Sequence, residues 1–367
     1  MKILIVSDSF PPLYTGVSKY AWELSENLSR RGHCIEVLTG GWTGYPKNYR
    51  FCGVTVNRVG RLIKIPANGT YCWITFGRDI FSETKKIISR GFDIVHMMGP
   101  LGLTLPYLAT VYSKTTNVGT FLSYVERNPA FFLFKPFLRY FYNKLLLKIA
   151  ISSAAEISVK KYFGGNFTII PPGVDIERFR NSDKRFQDEK KKNILFVGRL
   201  DERKGTKVLI SAFLRLKRKD TRLIIVGDGP MRKTLENRYK HSLDKVIFTG
   251  SVSEEDLPSF YSSAYFCVFP SKGGESFGIV IAEAFAAGKT VIASNIQGYK
   301  EVVKNGYNGL LFENKNIDEL AEKMEFLLSN PEYVKSLEEG ASKSAELYSW
   351  KKIISQIENS YTRIKSY

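Results

Sequence analysis

Short apolar runs rich in β-branched residues recur along the chain, and the stretches between them carry apolar residues at helical spacing. In the first half these runs lie at 2–6, 34–39, 54–59, 93–97, 117–121, 149–152 and 167–170. Between the first two, Ala21, Leu24 and Leu28 follow helical spacing, and Gly32 is a stop signal. Strands alternating with helices are typical of βαβ units, so this half predicts a parallel sheet covered by helices.

The same pattern starts again after a break in composition. The later apolar runs lie at 193–198, 222–227, 245–250, 265–270 and 289–294. The break is the segment 171–192, which begins with proline and glycine and becomes densely charged. We therefore predict an α/β protein with two Rossmann-like domains, residues 1–172 and 173–349, and a helix at 350–367 that packs back on the first domain. Two such domains predict a deep cleft, where open α/β folds bind ligands.

Composition excludes several classes of protein. With 367 residues and 44% hydrophobic residues, the chain can bury a core in each domain and is not disordered. Its cysteines and histidines are too scattered for a zinc cluster, a disulfide framework or another metal site: Cys34, Cys52, Cys72 and Cys267, with His33, His96 and His241. The sequence shows no signal peptide and no run of about 20 apolar residues. We therefore expect a cytoplasmic protein, and we interpret His96 as a structural residue at a strand end.

Basic charge is concentrated in the first half of the chain. The net charge is +18, with 21 basic and 9 acidic residues in 1–172 and 33 and 27 in the remainder. This bias indicates anionic lipid headgroups, nucleic acid or acidic metabolites as partners, or else a lysine-rich solvated surface. Residues 130–148 interleave phenylalanines and tyrosines with the cations Lys135, Arg139, Lys144 and Lys148. This segment is either a helix that docks on an anionic membrane surface or a buried helix whose aromatic residues form core.

Strand ends in the second half carry the candidate site. Residues 197–205 place Arg199 and Lys204 between a strand and a helix that starts near Thr206. Cations beside a helix N-terminus make an anion site, although a basic surface loop is the simpler alternative. Residues 226–236 repeat the form strand, Gly-x-Gly, helix, which is a weak signal alone.

A glycine-rich loop and a helix follow the strand that ends at 270. Gly273, Gly274 and Gly278 would let backbone N–H groups approach a phosphate. Glu275 lies in this loop, where its carboxylate could bond sugar hydroxyls, and Glu283 lies about two turns inside the helix, where it could hold a ribose diol. The alternative is a loop carboxylate that caps the helix, together with a solvated helical glutamate.

The segment ESFGIVIAE, residues 275–283, resembles the E-x7-E signature of retaining glycosyltransferases of the family-4 type. Further similar segments are GRLDERKG (198–205), PPGVDIERF (171–179), TGVSKY (15–20) and YSW (348–350). The resemblance covers essentially the whole chain and is strongest to bacterial phosphatidylinositol mannosyltransferases. It implies the GT-B fold, in which two Rossmann-like domains face each other across a cleft.

The resemblance also implies roles for individual residues. Arg199 and Lys204 would neutralise the departing diphosphate, Glu275 would bind sugar hydroxyls, and Glu283 would bind the ribose. The remaining donor contacts would be Gly274 and the backbone at Phe277, Gly278, Ile279 and Val280 at the phosphates, Val252 at the base, and Gly16 of the first domain at the phosphates; Ser18 and Lys19 would face the acceptor. Such enzymes use a GDP- or UDP-sugar as co-substrate and need no metal or other cofactor.

Two positions depart from the family pattern. Thr15-Gly16 stands where the family usually has Gly-Gly, and Leu122 stands where relatives commonly carry a histidine near the C6 hydroxyl of the donor sugar. The expected activity is retaining transfer of a hexose-type sugar to a lipid or glycan acceptor, at the inner face of the cell membrane and without nucleic acid. The alternative is a catalytically weakened partner subunit that binds sugar nucleotide or lipid, and Leu122 is its support. A dinucleotide oxidoreductase is set aside because residues 7–16 lack GxGxxG.

Overall fold

The computed structural model describes residues 1–13, 15–67, 70–102, 104–124, 129–188 and 190–365. The chain divides into two compact units. Unit 1 comprises Met1–Gly173 and Trp350–Tyr367, and unit 2 comprises Val174–Ser349. Within the described residues, no helix combines the length and apolarity that a bilayer span requires.

Unit 1 is built on a mainly parallel sheet. Its strands are β1 (Lys2–Val6), β2 (Cys34–Gly40), β3 (Asn48–Phe51), β4 (Val54–Val59), β5 (Arg61–Ala67), β6 (Thr70–Phe76), β7 (Ile94–Met98), β8 (Thr116–Phe121), β9 (Leu147–Ala150) and β10 (Thr168–Ile169). The sheet order is β10-β9-β8-β7-β1-β2-β4-β3, and β5 and β6 form a separate antiparallel pair. Only the edge pair β3–β4 in the large sheet is antiparallel among the described strands.

Helices cover this sheet because its strands are apolar on both faces. They are α1 (Gly16–Arg30), α2 (Ile80–Ile88), α3 (Leu105–Tyr112), α4 (Pro129–Leu133), α5 (Lys135–Asn143) and α6 (Ser153–Phe163). One group of buried side chains on the sheet, including Ile3 and Ile5, packs with α1, and the alternate residues Leu4 and Val6 pack on the other face. This alternation is what a strand buried on both sides requires.

Unit 2 repeats the plan with a fully parallel six-stranded sheet. Its elements are α7 (Ile176–Arg180), β11 (Lys192–Val197), α8 (Thr206–Phe213), β12 (Thr221–Val226), α9 (Arg232–Arg238), β13 (Val246–Gly250), α10 (Leu257–Ser262), β14 (Phe266–Phe269), α11 (Ile279–Ala286), β15 (Val291–Ser294), α12 (Gln297–Lys300), β16 (Gly309–Phe312), α13 (Ile317–Ser329) and α14 (Pro331–Ala345). The strand order is β13-β12-β11-β14-β15-β16. The chain moves outward from β11 in one direction and resumes at β14 in the other. The carboxyl ends of β11 and β14 therefore form a topological switch point, where open α/β sheets bind ligands.

The last helix, α15 (Trp350–Lys365), belongs to unit 1. Trp350 Nε1 donates a hydrogen bond to Glu23 of α1 over 3.3 Å. Farther along α15, the Tyr361 hydroxyl lies 2.5 Å from Nδ1 of His96, whose Nε2 lies 2.6 Å from the Thr120 hydroxyl. His96 is fully buried in the middle of β7, so the prediction of a strand-end position was wrong, although its contacts are those of a structural residue.

The apolar runs seen in the sequence all fall in strands, and four further strands were not predicted. The unpredicted strands are β3, β5, β6 and β16. β3 is a mostly exposed edge strand, and β5 and β6 pair with each other rather than with a strand of the large sheet. An apolar run buried on both faces is therefore not to be expected in these three strands. β16 is only four residues long.

Candidate functional site

The turn after β11 holds the two predicted cations. Asp201 is buried, and its Oδ1 accepts hydrogen bonds from the backbone N–H groups of Arg203 and Lys204 over 3.1 and 3.3 Å. Its second oxygen lies 3.8 Å from Nε of Arg199. Gly205 then has a φ of +69°, and a Cβ there would lie 1.9 Å from the carbonyl oxygen of Pro270. The turn is therefore closed by one carboxylate and packed directly against the end of β14.

The loop after β14 brings Glu275 to this turn. Oε1 of Glu275 lies 2.7 Å from Nζ of Lys204 and accepts a hydrogen bond from the Ser271 hydroxyl over 3.2 Å. The two loops are also joined through their backbones, because Lys272 N donates to Arg203 O over 2.7 Å. The Lys204 and Glu275 side chains are mostly shielded from solvent, at 19% and 13% exposed. An ion pair that is this enclosed is held in one geometry more firmly than a surface pair.

Helix α11 begins immediately after this loop. Its N-cap is Gly278, which has a φ of +83° and no side chain to cap the helix, so the first turn carries no side-chain cap. Phe277 is buried, and its ring centroid lies 5.2 Å from that of Tyr348. Ile279 and Val280 are half-buried, and Gly274 is exposed with a φ of +75°. These backbone groups make an arrangement that suits an anion.

Glu283 lies in the second turn of α11 and is buried at 3% exposure. Its Oε2 accepts a hydrogen bond from the Tyr261 hydroxyl over 3.0 Å. Burial, and then the neighbouring Glu283 carboxylate, raises the pKa of Tyr261 well above its usual value. The alternative of a solvated helical glutamate is therefore wrong, and so is the capping alternative, because Glu275 bonds Lys204 and Ser271 while Gly278 occupies the N-cap.

The remaining donor-side residue, Val252, follows β13 and is half-buried between exposed serines. β13 is two strands from β11 in the sheet, so Val252 lies at the same carboxyl edge as Arg199 but farther from the switch point. Among the described residues, no group of three or more His, Cys, Asp or Glu side chains is placed to hold a metal ion.

In unit 1 the predicted residues lie at the start of α1. Gly16 is the first residue of the helix and is exposed, and a Cβ built there would have no atom within 4 Å. Ser18 is fully buried, and its hydroxyl bonds the Thr15 backbone in a capping box with an N–H to O distance of 2.7 Å. The Ser18 side chain is therefore enclosed in this structure, and the role of Ser18 at an acceptor stays a prediction. Lys19 is half-buried.

Leu122 follows β8 directly and is half-buried. It packs against the apolar cluster that α1 and α15 form on the sheet. The neighbouring Ser123 is exposed and Tyr124 is half-buried.

Comparisons with known proteins agree with this architecture. The sequence model described as "Glycosyl transferases group 1" matches residues 177–344, and "Glycosyltransferase Family 4" matches residues 14–178. An uncharacterized glycosyltransferase of Methanocaldococcus jannaschii is 31% identical over 98% of both chains. The chain belongs to the family-4 glycosyltransferases of the GT-B fold.

Two further similarities bear on this glycosyltransferase. The phosphatidyl-myo-inositol mannosyltransferase of Mycobacterium tuberculosis is 29% identical over 95% of this chain and 93% of its own. The Anabaena protein Alr3699/HepE, solved in complex with UDP-glucose, superimposes with a TM-score of 0.77 at 19% identity, covering 99% of this chain and 100% of the other. The second similarity shows a shared fold.

Sequence reasoning missed three polar residues that organise the site of this glycosyltransferase. Asp201 closes the turn of the two cations, Ser271 bonds Glu275, and Tyr299 of α12 bonds Ser271 over 2.8 Å. Asp201 carried a usable signal, because an aspartate directly before a helical turn is a common N-cap. Ser271 and Tyr299 carried none, because 28 residues separate them along the chain.

Proposed function

We propose that this glycosyltransferase transfers a hexose-type sugar, with retention of anomeric configuration, from a GDP- or UDP-sugar to a lipid acceptor at a membrane surface. The observation that carries the proposal is the ion pair of Lys204 with Glu275 at the switch point of unit 2. A cation for the diphosphate and a carboxylate for the sugar hydroxyls are thereby paired at a distance of 2.7 Å. The name of the mycobacterial relative supports a mannose donor and a phosphatidylinositol-type acceptor.

Lys204 suits the task of binding the diphosphate. An ammonium has three N–H donors, so Lys204 can donate to phosphate oxygens while it remains paired with the Glu275 carboxylate 2.7 Å away. Arg199 adds a second cation that Asp201 holds by its guanidinium. Negative charge grows on the diphosphate as the bond to the sugar breaks, so these positions stabilise the transition state more than the bound donor.

In the reaction we propose, the bond between the sugar C1 and the β-phosphate oxygen breaks, and a bond between C1 and the acceptor oxygen forms on the same face. The acceptor proton passes to the released diphosphate. No side chain needs to form a bond to the sugar, because the leaving group itself accepts the proton. Glu275 holds sugar hydroxyls, and Glu283, buried beside Tyr261, is placed in our proposal to bind the ribose.

The membrane part of the proposal rests on an apolar and basic surface of α4 and α5. We define the docking face as the exposed side chains of Phe132, Leu133, Phe134, Phe137, Arg139 and Tyr140. Phe132 and Leu133 are 78% and 72% exposed, which is unusual for apolar side chains next to each other. The opposite side of the same helices, with Leu138, Phe141 and Tyr142, is buried in unit 1. The segment is therefore amphipathic, so the alternative of a wholly buried helix is wrong.

Cations border this face unevenly. Arg139 is exposed, and Lys135 and Lys144 are half-buried, the latter with its Nζ 5.3 Å above the Tyr140 ring. Lys148 points inward and donates to the Leu145 carbonyl, and burial lowers its pKa. We therefore assign three of the four predicted cations to an anionic bilayer.

The activity is tested by incubating the full chain with radiolabelled GDP- and UDP-sugars and a membrane lipid extract. We expect labelled lipid from one donor, with the anomeric configuration of that donor by proton NMR coupling. A product of inverted configuration would contradict retention. Donor binding without any product would instead favour the partner subunit that Leu122 led us to consider.

Membrane docking is tested by vesicle flotation. We expect binding to phosphatidylglycerol vesicles and little to phosphatidylcholine vesicles, and we expect Phe132→Ser with Leu133→Ser to abolish it. Phe326→Ser is the matched control, because Phe326 is also exposed, at 47%, but lies on α13 of unit 2. Equal binding to both vesicle types, or to neither, would contradict the assignment.

A further inference from the structure

Tyr299 is a buried residue with two contacts to the proposed donor site. Its side chain is 1% exposed, and α12, which carries it, packs against the Glu275 loop. This packing is close, because a Cβ on Gly298 would lie 2.2 Å from the Glu275 carbonyl oxygen. A buried tyrosine hydroxyl needs a partner, and here the partner is Ser271, at 2.8 Å.

The first contact is a hydrogen-bond chain with a fixed direction. Glu275 as a carboxylate only accepts, so the single hydroxyl proton of Ser271 must point to Oε1, 3.2 Å away. The Ser271 oxygen is then left to accept the proton of Tyr299. Burial, and then the nearby Glu275 carboxylate, raises the pKa of Tyr299 well above its usual value, so the phenol keeps that proton. The chain runs from Tyr299 through Ser271 to Glu275.

This chain selects which carboxylate oxygen remains for substrate. Within the part of the chain that the structure describes, Oε1 of Glu275 accepts the Ser271 hydrogen bond and is the oxygen that lies 2.7 Å from Nζ of Lys204, and no partner is recorded for Oε2. A hydrogen bond and an ionic contact on the same oxygen restrict the rotation of the carboxylate. Oε2 is then held in one direction as an acceptor for a sugar hydroxyl.

The second contact is made by the ring. A Cβ on Gly278 would lie 2.5 and 2.7 Å from Cε1 and Cδ1 of Tyr299, so the ring packs directly on the Cα of this glycine. Gly278 has a φ of +83° and starts α11, whose first N–H groups are the proposed phosphate contacts. The ring thereby supports the left-handed backbone conformation with which Gly278 begins the helix.

We propose that Tyr299 is a positioning residue that aligns both halves of the donor site, the sugar-binding carboxylate through its hydroxyl and the phosphate-binding backbone through its ring. This inference rests on the proposed function, since it assumes that Glu275 binds the sugar and that the start of α11 binds the diphosphate. The two contacts use different parts of one side chain, so two substitutions separate them.

The experiment compares Tyr299→Phe, Tyr299→Leu and Ser271→Ala by calorimetric binding of UDP, GDP and the matching nucleotide sugars, and by kinetics. Tyr299→Phe keeps the ring, so we expect unchanged affinity for the nucleoside diphosphate, weaker binding of the nucleotide sugar, and about a tenfold fall in kcat. Ser271→Ala should do the same, and the double variant should be no worse than either single variant. Tyr299→Leu should in addition weaken nucleoside diphosphate binding.

Tyr361→Phe is the matched control for loss of a buried hydroxyl. Its hydroxyl bonds His96 in unit 1, so we expect a lower melting temperature with an unchanged kcat. If Tyr299→Phe behaves as this control does, Tyr299 is merely structural and the inference is overturned. Additive losses in the double variant would overturn the chain through Ser271.

The binding measurements separate this inference from the proposed activity. If the native chain binds nucleotide sugars but transfers no sugar, the proposed activity fails. The inference is then tested by affinity alone: it holds if Tyr299→Phe weakens the binding of the nucleotide sugar more than the binding of the nucleoside diphosphate, and it is overturned if both change equally. If the native chain binds neither ligand, both are overturned.

Discussion

The loop after β14 in unit 2 and the loop after β1 in unit 1 each follow a strand at the switch point of their sheet, but they use polar residues in opposite ways. In unit 2, the charges of Glu275 and Lys204 pair with each other at the strand ends, mostly shielded from solvent. In unit 1, Asp8 turns its carboxylate into the fold, where it accepts from the Thr75 hydroxyl over 2.7 Å and from the Thr104 hydroxyl. Burial is the dominant influence on Asp8 and raises its pKa, against the opposing effect of these bonds.

The difference indicates a division of labour between the two loops. In the loop of unit 1, the side chains of Thr15 and Ser18 bond backbone groups of the same segment in the capping box. A Cβ built on Gly16 would have no atom within 4 Å. The loop of unit 2 keeps its charges at the carboxyl edge of the sheet. We infer that unit 2 supplies the electrostatic part of the proposed chemistry and that unit 1 supplies backbone and shape.

The largest effect should come from removing a charge in unit 2. We expect Lys204→Ala to lower kcat on the order of a hundredfold or more, because the ammonium stabilises charge that develops on the leaving diphosphate. We expect the decrease in kcat for Arg199→Ala to lie in the same range. Lys207→Ala is the control, since Lys207 lies on the following turn and pairs with Glu202 over 3.3 Å. A change confined to KM would mean that Lys204 only binds the donor.

The matching test in unit 1 adds bulk instead of removing charge. Gly16→Ala and Gly16→Val should fold normally, because a Cβ there meets no atom within 4 Å. If the Gly16 backbone approaches the phosphates, kcat/KM should fall with side-chain size, about tenfold for valine. Full activity in both variants would show that unit 1 leaves this backbone unused. Thermal unfolding checks that stability is unchanged.

These two loops also show what the sequence could predict. Arg199, Lys204 and Glu275 were found because each follows an apolar run, and parallel strands bring their carboxyl ends to one edge. The structure shows the ion pair of Lys204 with Glu275. The positions that were missed act across long stretches of chain: Tyr299 reaches Ser271 from another helix, and Asp8 reaches Thr75 and Thr104 from another strand. Local patterns carry no information on such pairs.

The enclosure of the Ser18 side chain has a local reason that the sequence left open. A serine three residues after a threonine can either face outward or complete a capping box, and the sequence does not separate these outcomes. In the structure, Ser18 completes the box and is fully buried. For Glu283, the sequence left a solvated and a ligand-binding position open. The structure buries its carboxylate beside the Tyr261 hydroxyl, which comes from a different helix.

The pH dependence of the free energy of unfolding tests His96, a buried polar residue of unit 1. Burial lowers the pKa of His96 to about 3 from an ordinary 6.5. Between these values the unfolded chain binds a proton that the folded chain does not, so stability from this residue is present above pH 6.5 and is lost as the pH falls toward 3. The expected slope approaches about 1.4 kcal/mol per pH unit.

The measurement is chemical unfolding between pH 7 and pH 4 in the native chain, His96→Gln and His241→Gln. The slope should be shallower in His96→Gln than in the native chain. His241 lies in a short exposed turn, so its substitution should leave the slope unchanged. Equal slopes in all three proteins would mean that His96 can be protonated inside the folded unit.

The smallest expected effect is a change in donor specificity at Leu122 of unit 1. If Leu122 faces the C6 end of the sugar, an apolar wall replaces a hydrogen-bonding partner. A site that hydrogen-bonds a hydroxyl discriminates strongly for it, whereas an apolar wall discriminates weakly. The native chain should therefore accept 6-deoxyhexose or pentose donors almost as well as hexose donors. Leu122→His should raise the preference for the 6-hydroxy donor, roughly threefold or more.

The packing of Leu122 makes this a demanding test. Its side chain already contacts the apolar cluster of unit 1, so only part of it could reach a ligand. The exposed Ser123 or the half-buried Tyr124 could supply a C6 contact in its place, and Ser123→Ala is the matched variant for that alternative. Donor competition between the 6-hydroxy and 6-deoxy sugars decides between them. If the ratio changes in Ser123→Ala and stays constant in Leu122→His, the C6 contact belongs to Ser123, and position 122 serves the core of unit 1.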